Sequence, residues 1–334
     1  MDGLLILDKP AGPTSHDVVA RMRRVLREKR IGHTGTLDPM ATGVLLLVLG
    51  KATRLATFLS ASDKSYEAVV RLGFATDTAD AQGRPLGPVS GRALPSRDAI
   101  DAALDPLRGT FMQQPPAFSA KKIDGQRSHT LARARARAAD VANPPDLPDP
   151  PDLPDRPDPP DLPDRPALPA PACVTTHRLE IVSLEADTVT LRVDCSAGFY
   201  VRSLAHDLGE RLGIGAHLAA LRRTRIGGFR IDQAMDLETA ERDPQRAAAA
   251  VVPLAGMLPH LASVILTAEG VHRAVHGRDL GPGDTASSSG EPFALSPQPS
   301  SGPWVRLIDS RGELVAIARP TLAGGLLHPS VVLV

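Results

Sequence analysis

The sequence predicts an α+β fold, in which a mixed, largely antiparallel sheet with helices is followed by a small C-terminal β-rich module. Predicted strands and helices alternate without the regular rhythm of a βαβ protein. Residues 179–184 and 189–193 have strand patterns separated by a short turn, which is typical of an antiparallel pair. Three further strand patterns fall within residues 251–334, so we expect that region to form the β-rich module.

Each predicted element has a local cause. Residues 3–7 are a short apolar run before a Pro-Gly turn, which indicates a buried strand. Thr14 and Asp17 stand at capping-box spacing, and apolar residues recur at helical spacing behind them, so a helix is predicted there. Residues 44–49 are an apolar run between two glycines, which is typical of a central strand. Further helices are predicted at residues 96–107 and 201–212, and further strands at 68–72, 304–308, 314–318 and 330–334.

Residues 141–171 differ in composition from the rest of the chain. Thirteen of these 31 residues are proline, and seven Asp against two Arg give a net charge of −5. Such a segment buries too little apolar area to offset its ordering entropy, so we expect a disordered, solvated insert. The remaining 36 basic and 31 acidic residues give a mild excess of positive charge, which favours polyanionic partners. The insert falls within a first domain, residues 1–250, and a second domain is predicted at residues 251–334.

Several classes of protein are excluded by composition. Cys173 and Cys195 are too few and too far apart for a disulfide framework or a zinc site, so no metal site is expected. The N-terminus has no basic region before its apolar run and does not resemble a signal peptide. No apolar stretch approaches the roughly 20 residues that span a bilayer. We therefore expect a cytoplasmic protein without a membrane association.

The first predicted helix is basic. Arg21, Arg23, Arg24 and Arg27 lie on the face opposite its apolar residues, and Lys29 and Arg30 follow. Such a run is consistent either with a solvated face or with contacts to an RNA backbone, and the sequence leaves both open. Arg222–Arg225 are a second candidate for phosphate contacts.

The segment that carries most information is residues 32–45, GHTGTLDPMATGVL. Asp38 followed by Pro39 is a common helix start, with aspartate as the N-cap. However, Gly43 follows too soon for more than one helical turn, and glycines and threonines surround a single carboxylate. This pattern favours a tight loop that approaches a ligand closely.

This segment resembles the catalytic loop of the TruB family, the bacterial tRNA pseudouridine-55 synthases. Other segments resemble the same family in the same order: residues 3–12, 63–66, 71–83, 116–122, 195–203 and 207–223. The resemblance implies a pseudouridine synthase type of catalytic domain in residues 1–250. It also implies a C-terminal RNA-binding module of PUA type. Phe118 departs from the family pattern, which commonly has tyrosine there, and the insert has no counterpart.

The resemblance implies that Asp38 is the catalytic residue. Pseudouridine formation breaks the N1–C1′ glycosidic bond of uridine, turns the base and rejoins it through C5, so neither a metal nor an organic cofactor is expected. One carboxylate is needed, either to attack covalently or to stabilise positive charge at C1′. Attack at C6 of the base and at C1′ of the sugar both remain open.

Further residues are assigned by the same resemblance. Arg202 matches the arginine that pairs with the catalytic aspartate, and Tyr66 matches the active-site tyrosine that stacks on the flipped base. His33 resembles the histidine near the extruded nucleotide. Tyr200 and Leu221 correspond to substrate-contacting positions. The expected partner is the T-arm of tRNA.

The sequence leaves two other interpretations of the function open. The chain is alternatively a tRNA-binding or tRNA-folding protein in which catalysis is secondary, or a synthase for another RNA. We expect a monomer without an obligate protein partner.

Overall fold

The structure is a computed structural model, and it describes residues 1–119, 121–123, 126–127, 168–286, 304–321 and 325–333. Most of the predicted insert, residues 141–167, lies outside the described residues, as do residues 287–303 of the C-terminal region. The helices are α1 (Ser15–Val25), α2 (Ala56–Ser60), α3 (Arg97–Leu104), α4 (Val201–Leu212), α5 (Leu237–Arg242), α6 (Pro244–Ala249) and α7 (Ala268–Val275).

The strands follow the same order along the chain. They are β1 (Gly3–Lys9), β2 (Ile31–His33), β3 (Thr42–Leu49), β4 (Lys64–Leu72), β5 (Gly109–Gln113), β6 (Lys122–Ile123), β7 (Gln126–Arg127), β8 (Ala172–Glu185), β9 (Thr188–Cys195), β10 (Ala216–Ile226), β11 (Phe229–Arg230), β12 (Met235–Asp236), β13 (Val252–Pro253), β14 (Ala262–Ile265), β15 (Val305–Ile308), β16 (Leu314–Pro320) and β17 (Leu327–Val332).

The chain forms two compact units, and the first contains Met1–Ser65 and Arg222–Val334. Its sheet has the order β12–β1–β3–β10, where β1 and β3 are antiparallel and β3 runs parallel to the end of β10. The short strand β2 pairs antiparallel with β3. This pairing places the chain between β2 and β3 beside the last residues of β1.

Helix α1 begins at the predicted capping box and covers one face of this sheet. The Thr14 hydroxyl accepts from the Asp17 amide at 3.1 Å, and the Asp17 carboxylate accepts from the Thr14 amide at 2.8 Å. The buried residues of the helix pack against apolar side chains of β1 and β3. The capping box and the helix are therefore confirmed.

The C-terminal part of the first unit contains a small separate sheet of order β14–β15–β16–β17. Strands β15, β16 and β17 are antiparallel, and α7 packs on this sheet around a core that includes Leu307, Ala316 and Leu327. The predicted small β-rich module is present. Its first strand, β14, is parallel to β15 and was not predicted.

The second unit, Tyr66–Leu221, is built on strands in the order β4–β9–β8–β5. The predicted hairpin of residues 179–184 and 189–193 is confirmed by the antiparallel pair β8–β9. Helix α4 ends at Gly213, whose φ of +66° is readily adopted by glycine, as the sequence predicts. The predicted helix 96–107 is shorter and ends at Leu104, because Pro106 follows in a 3-10 turn. With mixed and mostly antiparallel pairing, the α+β class is confirmed.

None of the helices that the structure describes is both long enough and apolar enough to cross a bilayer.

Candidate active site

Residues 34–41 form a tight loop between β2 and β3, and Asp38 lies in it. The Asp38 carbonyl accepts a hydrogen bond from the Ala41 amide at 3.0 Å, which closes a single turn. Strand β3 begins at the next residue, Thr42, so Asp38 caps no helix. The Asp38 side chain is half-buried. The prediction of a tight loop around Asp38 is confirmed, and the alternative that Asp38 and Pro39 start a helix is wrong.

Ser15 holds the residue before Asp38. It is the first residue of α1, is fully buried, and its hydroxyl bonds both backbone groups of Leu37. The Leu37 amide donates to the Ser15 Oγ at 2.9 Å, and that Oγ donates to the Leu37 carbonyl at 3.2 Å. The start of α1 thereby fixes one side of the loop of Asp38.

Lys9 holds the residues after Asp38. This last residue of β1 is fully buried, and its Nζ donates to the carbonyl oxygens of Pro10 at 2.8 Å, Pro39 at 3.2 Å and Ala41 at 2.7 Å. An ammonium group has three donors, and all three have acceptors here. Burial lowers the pKa of Lys9 to about 8, an effect that the Asp38 carboxylate opposes and the Arg223 charge reinforces.

Arg223 holds the beginning of the loop from β10. Its guanidinium donates to the carbonyl oxygens of Val44 at 2.8 Å, Gly35 at 2.9 Å and Thr36 at 3.4 Å, and the side chain is 1% exposed. The two strands meet closely at this point. A Cβ on Gly43 would lie 2.2 Å from the Arg223 carbonyl oxygen, and Gly43 has a φ of +102°. Only glycine fits there.

These contacts fix the backbone on both sides of Asp38. Leu37 is bonded to Ser15, while the Pro39 carbonyl accepts from Lys9 and, at 2.8 Å, from the Gly12 amide. A carboxylate carried on such a backbone needs little reorganisation before it reacts.

His33 ends β2 and lies at the entrance to the same loop. Its ring meets the His16 ring edge-on, with centroids 5.1 Å apart. Burial lowers the pKa of His33 to about 4, and the charges of His16 and Arg223 add to this effect. The imidazole is therefore neutral at physiological pH and suited to stacking or neutral hydrogen bonds. Its buried Nδ1 has no hydrogen-bond partner in the described residues.

Arg202 lies in the second unit, in the first turn of α4, and is 6% exposed. Its guanidinium donates to the carbonyl oxygens of Thr78 at 3.2 Å and Phe118 at 2.8 Å, and its Nε lies 3.8 Å from the Asp80 carboxylate. Asp80 is 5% exposed and accepts from the Thr78 hydroxyl at 2.6 Å and the Gln82 amide at 3.0 Å. Pairing of Arg202 with Asp38 stays a prediction.

The remaining residues assigned from sequence also lie in the second unit. The side-chain amide of Gln113 bonds both backbone groups of Tyr200, at 2.8 and 3.0 Å, and so fixes the start of α4. Tyr66 on β4 and Leu221 on β10 are both buried, at 8% exposure each.

The structure thus groups Asp38 and His33 in the first unit, and Tyr66, Tyr200, Arg202 and Leu221 in the second. Sequence reasoning missed the residues that hold these groups in place: Lys9, Ser15, Asp80 and Arg223.

The expectation that Arg222–Arg225 contact phosphates is wrong for Arg223, because its guanidinium is buried and bonded to three carbonyl oxygens. Arg222 lies 2.6 Å from the Asp8 carboxylate. Successive residues of a strand point to opposite faces, so a strand prediction would have separated Arg223 from Arg222. However, β10 was not predicted as a strand.

Comparison with known proteins identifies the family. Residues 23–144 match the N-terminal domain of the TruB family pseudouridylate synthases, and residues 202–266 match the C-terminal domain of tRNA pseudouridylate synthase B. The tRNA pseudouridine synthase B of Solibacter usitatus is 38% identical over all of both chains. That of Corynebacterium diphtheriae is 40% identical, covering 83% of this chain and 90% of the relative.

Solved structures resemble the chain in fold. A Cbf5-Nop10-Gar1 complex contains a chain with a TM-score of 0.63 and 27% identity, covering 96% of this chain and 78% of that one. A chain in an H/ACA RNP bound to a substrate RNA containing 2'-deoxyuridine has a TM-score of 0.66 at 24% identity, over 99% and 85% of the two chains. Identity along the full length and two matching domain models lead to one conclusion: the chain belongs to the TruB family of pseudouridylate synthases.

Proposed function

We propose that this protein isomerises a uridine of tRNA to pseudouridine, with uridine 55 of the T loop as its target and Asp38 as the catalytic residue. The observation that carries the proposal is the loop of Asp38, whose flanking residues are bonded to Ser15 and Lys9 while Asp38 itself is half-buried. The names of the relatives supply the class of reaction and the RNA substrate.

The reaction requires only what a carboxylate offers. The N1–C1′ bond of uridine breaks, the base turns, and C5 forms a new bond to C1′. The C5 proton is then lost, and N1 gains a proton. Asp38 either attacks covalently or stabilises positive charge at C1′. Because the product is an isomer of the substrate, one proton being lost at C5 and one gained at N1, and no electrons are gained or lost, we propose that the reaction proceeds without a cofactor.

The target base must leave its stack before Asp38 reaches it, at a cost of a few kcal/mol. Tyr66 supplies an aromatic ring on which the flipped base stacks, and Tyr200 and Leu221 supply further contacts to the nucleotide. Neutral His33 contacts the extruded region. Arg202 keeps the Asp38 carboxylate charged by supplying a buried positive charge.

The positions of Tyr66 and Leu221 along their strands support this assignment of roles. Tyr66 follows Lys64 by two residues in β4, and the Lys64 stem lies beside Gly35, with its Cε 3.7 Å from where a Gly35 Cβ would be. Leu221 precedes Arg223 by two residues in β10.

We also propose a role for the C-terminal region. Residues 251–334 are proposed to be a PUA-like RNA-binding module that follows a catalytic domain of residues 1–250. The protein is proposed to act in the cytoplasm as a monomer, without an obligate protein partner.

The test compares the wild-type protein with Asp38→Asn. Pseudouridine is mapped in tRNA after incubation with each protein, and tRNA affinity is measured separately. We expect the wild type to modify the T-loop uridine. We expect the variant to lose isomerisation while its tRNA Kd stays within a few-fold, because affinity comes mainly from phosphate contacts.

Each outcome separates the alternatives. Turnover by the purified variant, under conditions that exclude deamidation, would remove Asp38 from the catalytic role. Tight tRNA binding without pseudouridine from the wild type would favour a tRNA-folding protein. Modification of a different RNA, with tRNA left unchanged, would reassign the substrate.

A further inference from the structure

Helix α1 has a solvent face that the proposed catalytic chemistry does not use. Its buried residues, Ser15, Val18, Val19 and Met22, are three and four positions apart, so they share one face and leave the other to solvent. That exposed face and the turn after it contain five exposed cations, which we call the basic ridge: Arg23, Arg24, Arg27, Lys29 and Arg30.

The charge of the basic ridge is balanced only in part, by Glu28, whose carboxylate interacts with the charge of Arg30. The neighbouring Arg21 lies 3.6 Å from the Glu241 carboxylate and is therefore not counted in the ridge. Glu28, which lies within the same turn, accepts from the Arg30 amide at 2.9 Å and from the Met1 amine at 3.2 Å, and these bonds hold its pKa below its usual range. In the described part of the chain, no ridge side chain forms an ion pair with a carboxylate.

The helix dipole explains only part of this arrangement. Cations in the last turn of a helix are stabilised by its C-terminal carbonyl groups, and this accounts for Arg23 and Arg24. Arg23 also donates to the Ile31 carbonyl at 2.7 Å. The dipole effect falls off beyond the last turn, so it does not account for Arg27, Lys29 and Arg30.

The basic ridge lies between two connections to the loop of Asp38, one at the start of α1 and one through β2. At the N-terminal end of α1, Ser15 bonds Leu37, the neighbour of Asp38. Eleven residues of helix at 1.5 Å each put the C-terminal end about 16 Å away. Strand β2 then returns from Arg30 to the loop over three residues, roughly 10 Å.

We propose that the basic ridge binds the phosphate backbone of the tRNA about 10–16 Å from the target uridine. This inference rests on the proposed function, which supplies the RNA. A nucleic-acid backbone fits because it is a regular row of negative charges, and the basic ridge presents five exposed cations within residues 23–30, just before the strand that leads into the loop of Asp38. Contacts of this kind position the RNA and carry no sequence information.

The test is a pair of double variants with equal changes in net charge. Arg24→Glu with Arg27→Glu reverses two ridge cations. Arg178→Glu with Arg192→Glu reverses two exposed arginines of β8 and β9 and serves as a control of equal charge change, although Arg178 pairs with Glu180 at 2.7 Å and the ridge cations have no such partner among the described residues. The Kd for tRNA is measured at several salt concentrations. Pseudouridine formation is measured at saturating tRNA.

For the ridge variant we expect the Kd to rise at least 10-fold at low salt. Its plot of log Kd against log salt should be shallower by roughly 1.5–2 units, the value for two lost phosphate contacts. The kcat at saturating tRNA should be unchanged. The control should change Kd less than threefold, because the proposal assigns the phosphate contacts to the basic ridge and not to β8 and β9.

Equal rises in Kd for both variants, or an unchanged salt slope, would overturn the proposal. A ridge variant that unfolds, as judged by circular dichroism, is replaced by Arg24→Gln with Arg27→Gln, for which we expect about half the effect on log Kd. If no protein forms pseudouridine but only the ridge variant loses tRNA, the proposed function fails while the ridge remains an RNA-binding surface.

Discussion

Replacing Arg223 by lysine keeps the positive charge but removes the guanidinium fork. Arginine bonds three carbonyl oxygens here, those of Val44, Gly35 and Thr36, and its side chain is 1% exposed. A lysine ammonium is a single point on a flexible stem and does not span all three acceptors. We expect Arg223→Lys to fold but to hold the catalytic loop loosely.

The size of the effect follows from the lost hydrogen bonds. If lysine keeps one of the three, two bonds from a charged donor are lost, at about 1.5 kcal/mol or more each. The total is about 3 kcal/mol. If this loss falls on the positioning of the Asp38 loop, kcat decreases by roughly 100-fold, since each 1.36 kcal/mol is a factor of ten.

The assay separates positioning from stability. Single-turnover pseudouridine formation, tRNA Kd and Tm are measured for Arg223→Lys and for Arg306→Lys. Arg306 is a suitable control because it also donates to three groups, the carbonyl oxygens of Leu261 and Ala255 and the Ser263 hydroxyl. We expect both variants to lose a few degrees of Tm, and only Arg223→Lys to lose kcat.

Equal kcat for Arg223→Lys and the wild type, in a folded protein, would refute the reasoning that these bonds position Asp38. A parallel loss of kcat in Arg306→Lys would show that the effect is general destabilisation.

Three further outcomes are expected. Asp80→Asn leaves buried Arg202 without its carboxylate partner, while the new amide oxygen still accepts from the Thr78 hydroxyl. The single-turnover kcat should therefore fall at least 10-fold with tRNA affinity retained. A normal rate would contradict this expectation. The pKa of His33 is about 4 in the folded state, below its usual 6.5, so its contribution to stability is complete above pH 6.5 and is lost as pH falls toward 4. Tm should therefore decrease less between pH 7 and 4.5 in His33→Gln than in the wild type, and identical curves would exclude this role. Activity should survive dialysis against a chelator when tRNA folding is controlled, whereas loss rescued by zinc would argue for a metal.

Elements with strong local signals were predicted well from the sequence. The capping box of Thr14 and Asp17, the glycine that ends α4 and the apolar run of β3 each have a cause within a few residues. The tight loop around Asp38 belongs to the same class, because glycines on both sides limit the available structures.

The residues that hold the site were not predicted, because their role depends on partners far along the chain. In the local pattern Lys9 looks like the first residue of a turn, and Ser15 looks like the start of a helix. Arg223 looks like one of several arginines, and only Thr224 and Ile226 of the eleven residues of β10 are β-branched, the type that marks most strands. Pairing of β10 with β3, through Gly43 and Arg223, determines its structure.

The distance along the chain between Arg223 and the loop that it holds has a consequence for biosynthesis. Its hydrogen-bond partners in the loop, Thr36 and Gly35, lie 187 and 188 residues earlier. At 5–20 residues per second, a ribosome needs roughly 10–40 s to pass from the catalytic motif to this arginine. During that interval the nascent chain contains the whole motif but not the guanidinium that fixes it. The loop of Asp38 is therefore fixed late in synthesis. In refolding experiments the order of this loop should return only after the long-range contact with Arg223 forms, whereas helices recover from local contacts.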